Sequence, residues 1–340
     1  MNVAELKAQA DFWPCRILLT AAELDIFSAV GDGASATAVA EACATDLRAT
    51  ERLLDALTAM EVLIKQDGDY AVAPELRAGL LPGEQCIVPS LLHRATLWRS
   101  WSRLTDVVRS GEPAVEPYED DERPDEQVRS FIGAMAVGAR MHAPAIVAAL
   151  DLGKVRTVLD LGGGPGTFAA EFCRAKPELR AVILDLPRVC EIARANLLQT
   201  DFADRVSFVP GEVRTVDSEP VMAASGGGGF DLVFMSSLIH SMSPAQIAVV
   251  FERAIGWTAP GGRVVVRDFF LDESRTRPAR AAIFAINMLV NTPGGNSYTW
   301  SECERWLTEA ARRQGIGEPQ LGRIMVPETD STMVQLTLPG

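Results

Sequence analysis

Four acids and one histidine, Asp160, Asp185, Glu212, Asp268 and His240, carry the chemistry in this sequence, together with one glycine turn. Each of the five stands at or just past the end of a short apolar run: Val155–Leu161, Ala181–Leu184, Val206–Val209, Asp231–Met235 and Arg263–Phe269. The turn reads Asp160-Leu161-Gly162-Gly163-Gly164-Pro165-Gly166. Its glycines let the backbone turn sharply and let a ligand approach without obstruction by Cβ atoms. Asp185 follows about 20 residues later, where an acid can accept from both hydroxyls of a ribose. The chemistry implied is recognition of a nucleotide-like ligand beside groups able to move a proton.

The glycine pattern narrows the ligand. A dinucleotide loop takes the form G-x-G-x-x-G. Gly162 and Gly164 begin that pattern, but Thr167 stands where the third glycine belongs. An acid precedes the turn instead, giving D-x-G-G-G-x-G, a spacing that resembles motif I of the S-adenosylmethionine methyltransferases. S-adenosylmethionine has no pyrophosphate to cradle. It has a ribose, an adenine and a charged methionyl end with a sulfonium, which acids suit. The plain alternative is a glycine-rich turn in some other α/β domain.

The elements that must hold these groups follow from periodicity. Val155–Leu161, the glycine turn, a helical pattern over 167–174 and Ala181–Leu184 form one strand–helix–strand unit. Val206–Val209, Asp231–Met235 and Arg263–Phe269 read as further strands, with Pro260-Gly261-Gly262 as a turn into the last. Helices are expected over 244–257 and 279–289. A loop is expected at Asn291–Gly295, and a helix through Arg312 capped by Thr299 or Ser301. Met325-Val326 and Met333–Leu338 read as a closing antiparallel pair. Such alternation implies an α/β fold, with a mostly parallel sheet that binds ligands beyond the carboxyl ends of its strands.

Upstream, residues 4–30 read as helix, with Pro14 marking a kink or a new start. Ser35 or Thr37 caps a short helix through Cys43. A second helix runs from Asp46 to Met60, with Leu47, Leu53, Leu54, Leu57 and Met60 inward. Val62-Leu63-Ile64, Asp67-Gly68 and Tyr70-Ala71-Val72 then form a hairpin. Helix, helix, hairpin is a winged-helix pattern, but Arg48 and Arg52 are offset by Glu51 and Asp55. The module therefore reads as packing or dimerisation rather than DNA binding. A long amphipathic helix is expected over Val88–Arg109, an acidic solvated loop over Glu116–Glu126, and a helix over Phe131–Leu150 with Met135, Met141 and Ile146 at apolar positions. The domains implied are 1–110 for the helical module, 111–150 for a linker and pocket helix, and 151–340 for the cofactor sheet.

Composition limits the remaining classes. The chain has 340 residues, 48% of them hydrophobic, and a net charge of −13. That balance argues against nucleic acid or an anionic membrane as a partner. No apolar run reaches the roughly 18 residues of a membrane span, and the N-terminus lacks a signal-peptide pattern. Cys15, Cys43, Cys86, Cys173, Cys190 and Cys303 form no C-x-x-C pair, and most sit on apolar faces. They read as reduced packing residues of a cytoplasmic protein. His93, His142 and His240 show no metal-ligand spacing with them, so no metal is expected.

Taken together these segments resemble the S-adenosylmethionine-dependent O-methyltransferases of the caffeic acid and hydroxyindole type, in their bacterial natural-product branch. The resemblance runs from Phe12-Trp13 and Thr50-Glu51-Arg52-Leu53-Leu54 through the glycine turn and Asp185-Leu186-Pro187. It continues through Asp231–Phe234 leading to His240, Pro260-Gly261-Gly262 and Asn291–Gly295. It implies a class I methyltransferase (Rossmann-like) sheet with an N-terminal, mostly helical winged-helix dimerisation domain, and hence a homodimer. It implies S-adenosylmethionine as cofactor. Gly162, Gly163, Gly164 and Gly166 would hold the methionyl part, Asp185 the ribose, and Glu212 the adenine edge. Asp160, Leu186, Val213 and Ser236 complete the expected cofactor contacts. His240 matches the general base and Asp268 the acid that orients it. Met135, Met288 and Asn291 match the lining for a small-molecule acceptor.

The chain departs from that pattern in three places. His240-Ser241-Met242 replaces His-Asp-Trp, Ser236 replaces a lysine near the cofactor, and Ser297 replaces a second acid. Competing readings are C- or N-methylation on the same scaffold, a non-methylating member, and a regulator that senses the cofactor. The regulator lacks a basic recognition helix. A nicotinamide oxidoreductase is disfavoured by Thr167 and by the absence of a Tyr-x-x-x-Lys-type pair.

Overall fold

The computed structural model describes residues 2–115, 125–317, 319–329 and 331–340. They divide into two compact units: Met1–Arg99 with Arg129–Val137, and Ser100–Val128 with Gly138–Gly340.

The first unit opens with three helices, Val3–Gln9, Trp13–Glu23 and Ile26–Val30, rather than one helix over 4–30. Pro14 starts the second, where its missing N–H is no loss. Asp25, in the left-handed region at φ 54°, separates the second from the third. Strand β1 (Ala34–Ser35) leads into helix Ala36–Ala42, capped by the Ser35 hydroxyl. Asp46 caps helix Leu47–Ala59 through the Ala49 N–H at 2.9 Å. Strands β2 (Leu63–Gln66) and β3 (Asp69–Val72) form the expected hairpin, and β1 adds to it antiparallel in the order β1-β3-β2. Ile26, Phe27, Val39, Leu54, Leu57, Leu63 and Val72 form the core. Leu47, expected inward, is 42% exposed because it sits in the first turn, at the helix's open end.

The expected helix over Val88–Arg109 is two helices, Val88–Trp101 and Leu104–Ser110. Arg103 leaves helical geometry between them and donates to the Ala114 carbonyl at 2.7 Å. Of the acidic loop expected over Glu116–Glu126, residues 116–124 lie outside the described residues, and the last two begin helix Asp125–Ala148. In that helix Ile146 is buried, whereas Met141 is 72% exposed rather than packed. Its segment Gln127–Ala148 is long and apolar enough to cross a membrane by length and composition alone, a property it shares with core helices of folded domains. Cys173, Cys190 and Cys303 are buried and Cys15 is exposed; all six thiols are free.

The second unit is built on a seven-stranded sheet. Its strands are β4 (Thr157–Leu161), β5 (Arg180–Asp185), β6 (Val206–Pro210), β7 (Phe230–Ser236), β8 (Thr258–Arg267), β9 (Gln320–Val326) and β10 (Ser331–Thr337). Their order is β6-β5-β4-β7-β8-β10-β9. The first five are parallel, and β10 and β9 add antiparallel. The central strands are buried runs rather than alternating ones, as expected of a sheet covered on both faces. Leu159, Leu161, Val182, Val233 and Val264 point into one core, and Val158, Ile183, Phe234 and Val265 into the other. Pro260-Gly261-Gly262 lies inside β8 rather than before it, at a register irregularity opposite Phe230–Leu232.

Two partly buried ties fix the entry to β4. The Asp231 carboxylate accepts from the N–H groups of Arg156 at 2.7 Å and Thr157 at 2.9 Å. The Lys176 ammonium donates to three carbonyls, Leu152, Gly153 and Val155, at 2.9, 2.9 and 2.8 Å. Replacing Lys176 with methionine keeps the stem but removes the ammonium from all three carbonyls, leaving Leu152 its Val155 N–H donor. Lys176→Met is expected to lower stability by about 1–3 kcal/mol, read as a lower urea midpoint with an unchanged slope.

Candidate active site

The carboxyl ends of β4, β5, β7 and β8 bring the predicted groups together. The glycine turn leaves β4 and feeds helix Thr167–Ala175. Asp160 lies beneath it, 1% exposed, and its carboxylate accepts from the Ala169 N–H at 3.1 Å, in the helix's first turn. A Cβ on Gly163 would press on that carboxylate at 2.9 Å. Asp160 is thus taken up in bracing the turn from inside. Gly164 is left-handed at φ +54° with nothing within 4 Å of where a Cβ would stand, so the turn presents bare backbone there.

Asp185 ends β5 and faces the turn. One carboxylate oxygen accepts from Gly164 N–H at 2.8 Å and the other from Leu186 N–H at 2.8 Å. Leu186 caps helix Pro187–Leu197, which periodicity alone did not reveal. An acid at a strand end beside an open glycine turn has the chemistry to accept from the hydroxyls of a ribose such as that of S-adenosylmethionine.

Glu212 is turned elsewhere. It accepts from the Arg214 guanidinium at 2.7 Å and from Arg214 N–H at 3.1 Å, because the partner two residues on is within easy reach. Val213 is buried in the core at 7% exposure. Ser236 ends β7, and its hydroxyl accepts from Arg267 at 3.1 Å.

His240 lies in a short turn past β7, and Asp268 just past β8. The His240 Nδ1 stands 2.7 Å from Asp268 Oδ1, and the His240 N–H donates to Asp268 Oδ2 at 3.2 Å. Phe269 N–H adds a donor at 2.8 Å. Burial alone would raise the Asp268 carboxyl. The His240 charge and hydrogen bond, with the two backbone donors, outweigh it and hold the carboxyl below its usual range. A carboxylate only accepts, so Nδ1 carries the proton and Nε2 the lone pair. Nε2 has no hydrogen-bond partner among the described residues. The rings of Phe284 and Phe269 stand edge-on to the imidazole at 4.9 and 5.7 Å.

The loop expected at Asn291–Gly295 fixes the histidine from behind. Helix Ala279–Asn291 runs two residues further than expected. Asn291, expected to line the acceptor site, ends it instead. Its amide donates to Asn287 and its oxygen accepts from the Ser100 hydroxyl at 2.7 Å. A Cβ on Gly295 would run into the His240 carbonyl oxygen, so only glycine lets the loop close there. Asn296 N–H then donates to that carbonyl at 2.8 Å, and the Tyr298 hydroxyl to the Met242 carbonyl at 2.6 Å. Ser297, in place of an acid, is buried and donates to the Ala281 carbonyl. Met288 is buried in the same helix, and Met135 belongs to the first unit.

Comparison with known proteins places this arrangement. A family model for the O-methyltransferase domain matches residues 101–312, and one for the O-methyltransferase dimerisation domain matches residues 6–75. The chain belongs to the O-methyltransferase family. It is 28% identical to a 3-hydroxy-5-methyl-1-naphthoate 3-O-methyltransferase of Streptomyces sahachiroi, over 88% of this chain and 86% of that one. It is 29% identical to the tetracenomycin polyketide synthesis 8-O-methyl transferase of Streptomyces glaucescens, over 88% of each. Human N-acetylserotonin methyltransferase in complex with S-adenosylmethionine shares the fold, with a TM-score of 0.82 at 23% identity over 100% of this chain and 99% of that one. This O-methyltransferase is thus an S-adenosylmethionine-dependent enzyme with a class I methyltransferase sheet and an N-terminal helical dimerisation domain.

Sequence reasoning passed over four residues of the O-methyltransferase site: Phe269, Phe284, Tyr298 and Arg267. The aromatic residues resembled ordinary apolar positions. Their signal was adjacency, since Phe269 follows Asp268 directly and Tyr298 follows the Gly-Gly pair.

Asp160 yields a pH prediction. Burial pushes its carboxyl up to about 7, with the Ala169 N–H opposing and the Asp185 charge adding to the rise. An unfolded aspartate titrates near about 3.9. The folded value is the higher, so stability from the protonated form is complete below the unfolded value and is lost as pH rises through the folded one. Asp160→Asn should therefore gain stability relative to the parent as pH rises across that window. Urea unfolding of the ligand-free proteins at either side of it measures this. A parent–variant difference independent of pH would contradict it.

Proposed function

We propose that this enzyme transfers a methyl group to a hydroxyl of a small aromatic or polyketide-like acceptor, with His240 as general base and Asp268 as its orienting acid. The carrying observation is the 2.7 Å contact between His240 Nδ1 and Asp268, which leaves Nε2 as the free proton acceptor. The hydroxyl acceptors named for the Streptomyces relatives support the same class.

S-adenosylmethionine supplies a methyl group on a sulfonium, already a good leaving group, so the protein's task is alignment and proton removal. Asp185, with the Gly162–Gly166 turn, is the proposed holder of the adenosyl and methionyl parts, and Leu186, Val213 and Ser236 flank it. With Glu212 committed to Arg214, the backbone beside it is the candidate for the adenine edge. His240 Nε2 takes the acceptor's hydroxyl proton as the oxygen forms its bond to carbon. Asp268 stabilises the imidazolium that results, since it is held ionised by three donors. Phe269 and Phe284, stacked on each other at 4.0 Å, give a flat apolar wall beside the base. Met288 remains a candidate for lining the acceptor. Residues 1–110 are assigned to dimerisation, 111–150 to a linker and pocket helix, and 151–340 to cofactor binding.

General base catalysis contributes roughly 10²–10⁴-fold, and His240→Gln is expected to lower kcat by that order while leaving cofactor affinity unchanged. Asp268→Asn should give a partial defect through loss of tautomer control. Both defects should shrink for acceptors acidic enough to be ionised already. Single-turnover methyl transfer to acceptors of graded acidity decides the matter. Equal rates in parent and His240→Gln across the series would assign the enzyme to alignment alone or to methylation of carbon or nitrogen.

We also propose a two-fold homodimer. Besides the dimerisation-domain match, Val3, Leu6, Phe12 and Trp13 are 84, 55, 53 and 70% exposed in the single chain, an apolar surface suited to a partner copy. An obligate interface buries upwards of about 2,000 Å². Light scattering at micromolar protein should return the dimer mass, and a monomer would contradict it.

A further inference from the structure

Arg267 is an enclosed cation with no ion-pair partner among the described residues. It ends β8 in register with Ser236 on β7 and Met333 on β10. Its side chain leaves the sheet on the face of Val265, opposite to the next residue, Asp268. The guanidinium donates to three hydroxyls, Ser236 at 3.1 Å, Ser237 at 3.2 Å and Ser331 at 3.4 Å. Its Nε is buried and has no partner among the described residues. No carboxylate lies within ion-pair distance of it among the described residues, and its neighbour Asp268 is committed to His240. The chain has 45 acids to 32 lysines and arginines, so the gap is not a shortage of anions.

Arg280 adds a second unpaired guanidinium. It lies in the first turn of helix Ala279–Asn291 and stands over the Phe269 ring at 5.6 Å, with no ion-pair partner among the described residues. The same ring meets His240 at 5.7 Å. His142, on helix Asp125–Ala148, is held below its usual range by burial and then by the charges of both arginines. Burial and the Arg280 charge likewise lower Arg267, against the pull of Asp268. The charges of Arg267 and Arg280 thus oppose one another and His142, and Arg280 stands beside His240 across the Phe269 ring. Ser237, which supplies one of the hydroxyls, is held in the left-handed region at φ 57°, a conformation that persists only where its surroundings impose it.

An enclosed charge without a counterion is costly, and hydroxyls replace its lost water only in part. A planar carboxylate fits the fork of a guanidinium and would relieve both the desolvation and the mutual repulsion. We propose that Arg267 and Arg280, with the hydroxyls of Ser236 and Ser237, form a receiving site for the carboxylate of a bound small molecule, next to His240 and Asp268. This rests on the methyl-transfer reading for its two possible sources, the methionyl carboxylate of the donor or a carboxylate on the acceptor.

The test uses the full-length parent with Arg267→Lys, Arg267→Gln and Arg280→Ala, the last at an exposed position that leaves the fold intact. Calorimetry measures binding of S-adenosylmethionine, its decarboxylated analogue, 3-hydroxy-2-naphthoate and 2-naphthol, with thermal unfolding run alongside. Losing a charge-assisted hydrogen bond to a carboxylate corresponds to about 10–100-fold in affinity. If the donor's carboxylate is the ligand, S-adenosylmethionine weakens by that factor in Arg267→Gln and Arg280→Ala, the lysine variant recovers part of the loss, and the decarboxylated analogue is unaffected. If the acceptor's carboxylate is the ligand, cofactor affinity is kept, and the parent's preference for the naphthoate over the naphthol disappears in the variants. Unchanged cofactor affinity with no carboxylate preference in the parent overturns the proposal, even if Arg267→Gln lowers the unfolding temperature, because Arg267 is then only a brace between strands. A parent that binds S-adenosylmethionine but methylates no hydroxyl sinks the methyl-transfer reading instead, and leaves these binding measurements standing.

Discussion

The hydrogen bond from Ala169 N–H to the buried Asp160 carboxylate sets the geometry on which the cofactor side of this enzyme depends. It joins the end of β4 to the first turn of the helix that follows, beneath the glycine turn. With the acid filling the space below, the turn is forced upward, and Gly163 must lack a side chain. From the other side Asp185 holds Gly164 N–H. Two acids thus grip one turn from opposite sides, the inner one enclosed and the outer one open to a ligand. The inner acid is costly to ionise, and its charge opposes that of the outer one, so the pair is arranged for one formal charge rather than two.

The strand ends were legible in the sequence because parallel strands covered on both faces leave plain apolar runs, and the acids that follow them stand out. The His240–Asp268 pair was legible only as two strand ends and a resemblance; the two residues, 28 positions apart in the chain, are brought together by the pairing of β7 with β8. What stayed hidden depends on contacts that periodicity cannot carry. Glu212 meets an arginine two residues away, a local choice no pattern announces. Asn291 is held in the helix by Asn287 and by Ser100, the latter 191 positions distant in the chain. Residues 4–30 have an unbroken apolar rhythm, yet the backbone breaks at Asp25. Met141 is apolar by type and exposed in the chain. Arg267 looked like one polar residue in a strand, and only the strand order shows that it faces serines from two neighbours.

Where this chain lacks the acids of its family's usual pattern, the structure gives the substituted residues mechanical work. Ser297 ties the loop to the start of helix Ala279–Asn291 through the Ala281 carbonyl. Ser241 turns back onto the Leu238 carbonyl at 2.8 Å. With Asp268 the one carboxylate on the imidazole among the described residues, the tautomer rests on a single partner, and the three donors around that partner are what keep it ionised.

The closure of Gly295 onto the His240 carbonyl has a consequence for how such a site can diversify. The loop that closes is the continuation of the helix carrying Phe284 and Met288, so the wall beside His240 and the clamp on its backbone are one continuous piece of chain. Side chains on that helix can be exchanged, reshaping the surface beside the imidazole, while the loop keeps the His240 backbone in place. The shape of that surface and the position of the ring are in this way separable by single substitutions. A lineage built on this scaffold can vary that wall without disturbing the His240–Asp268 pair.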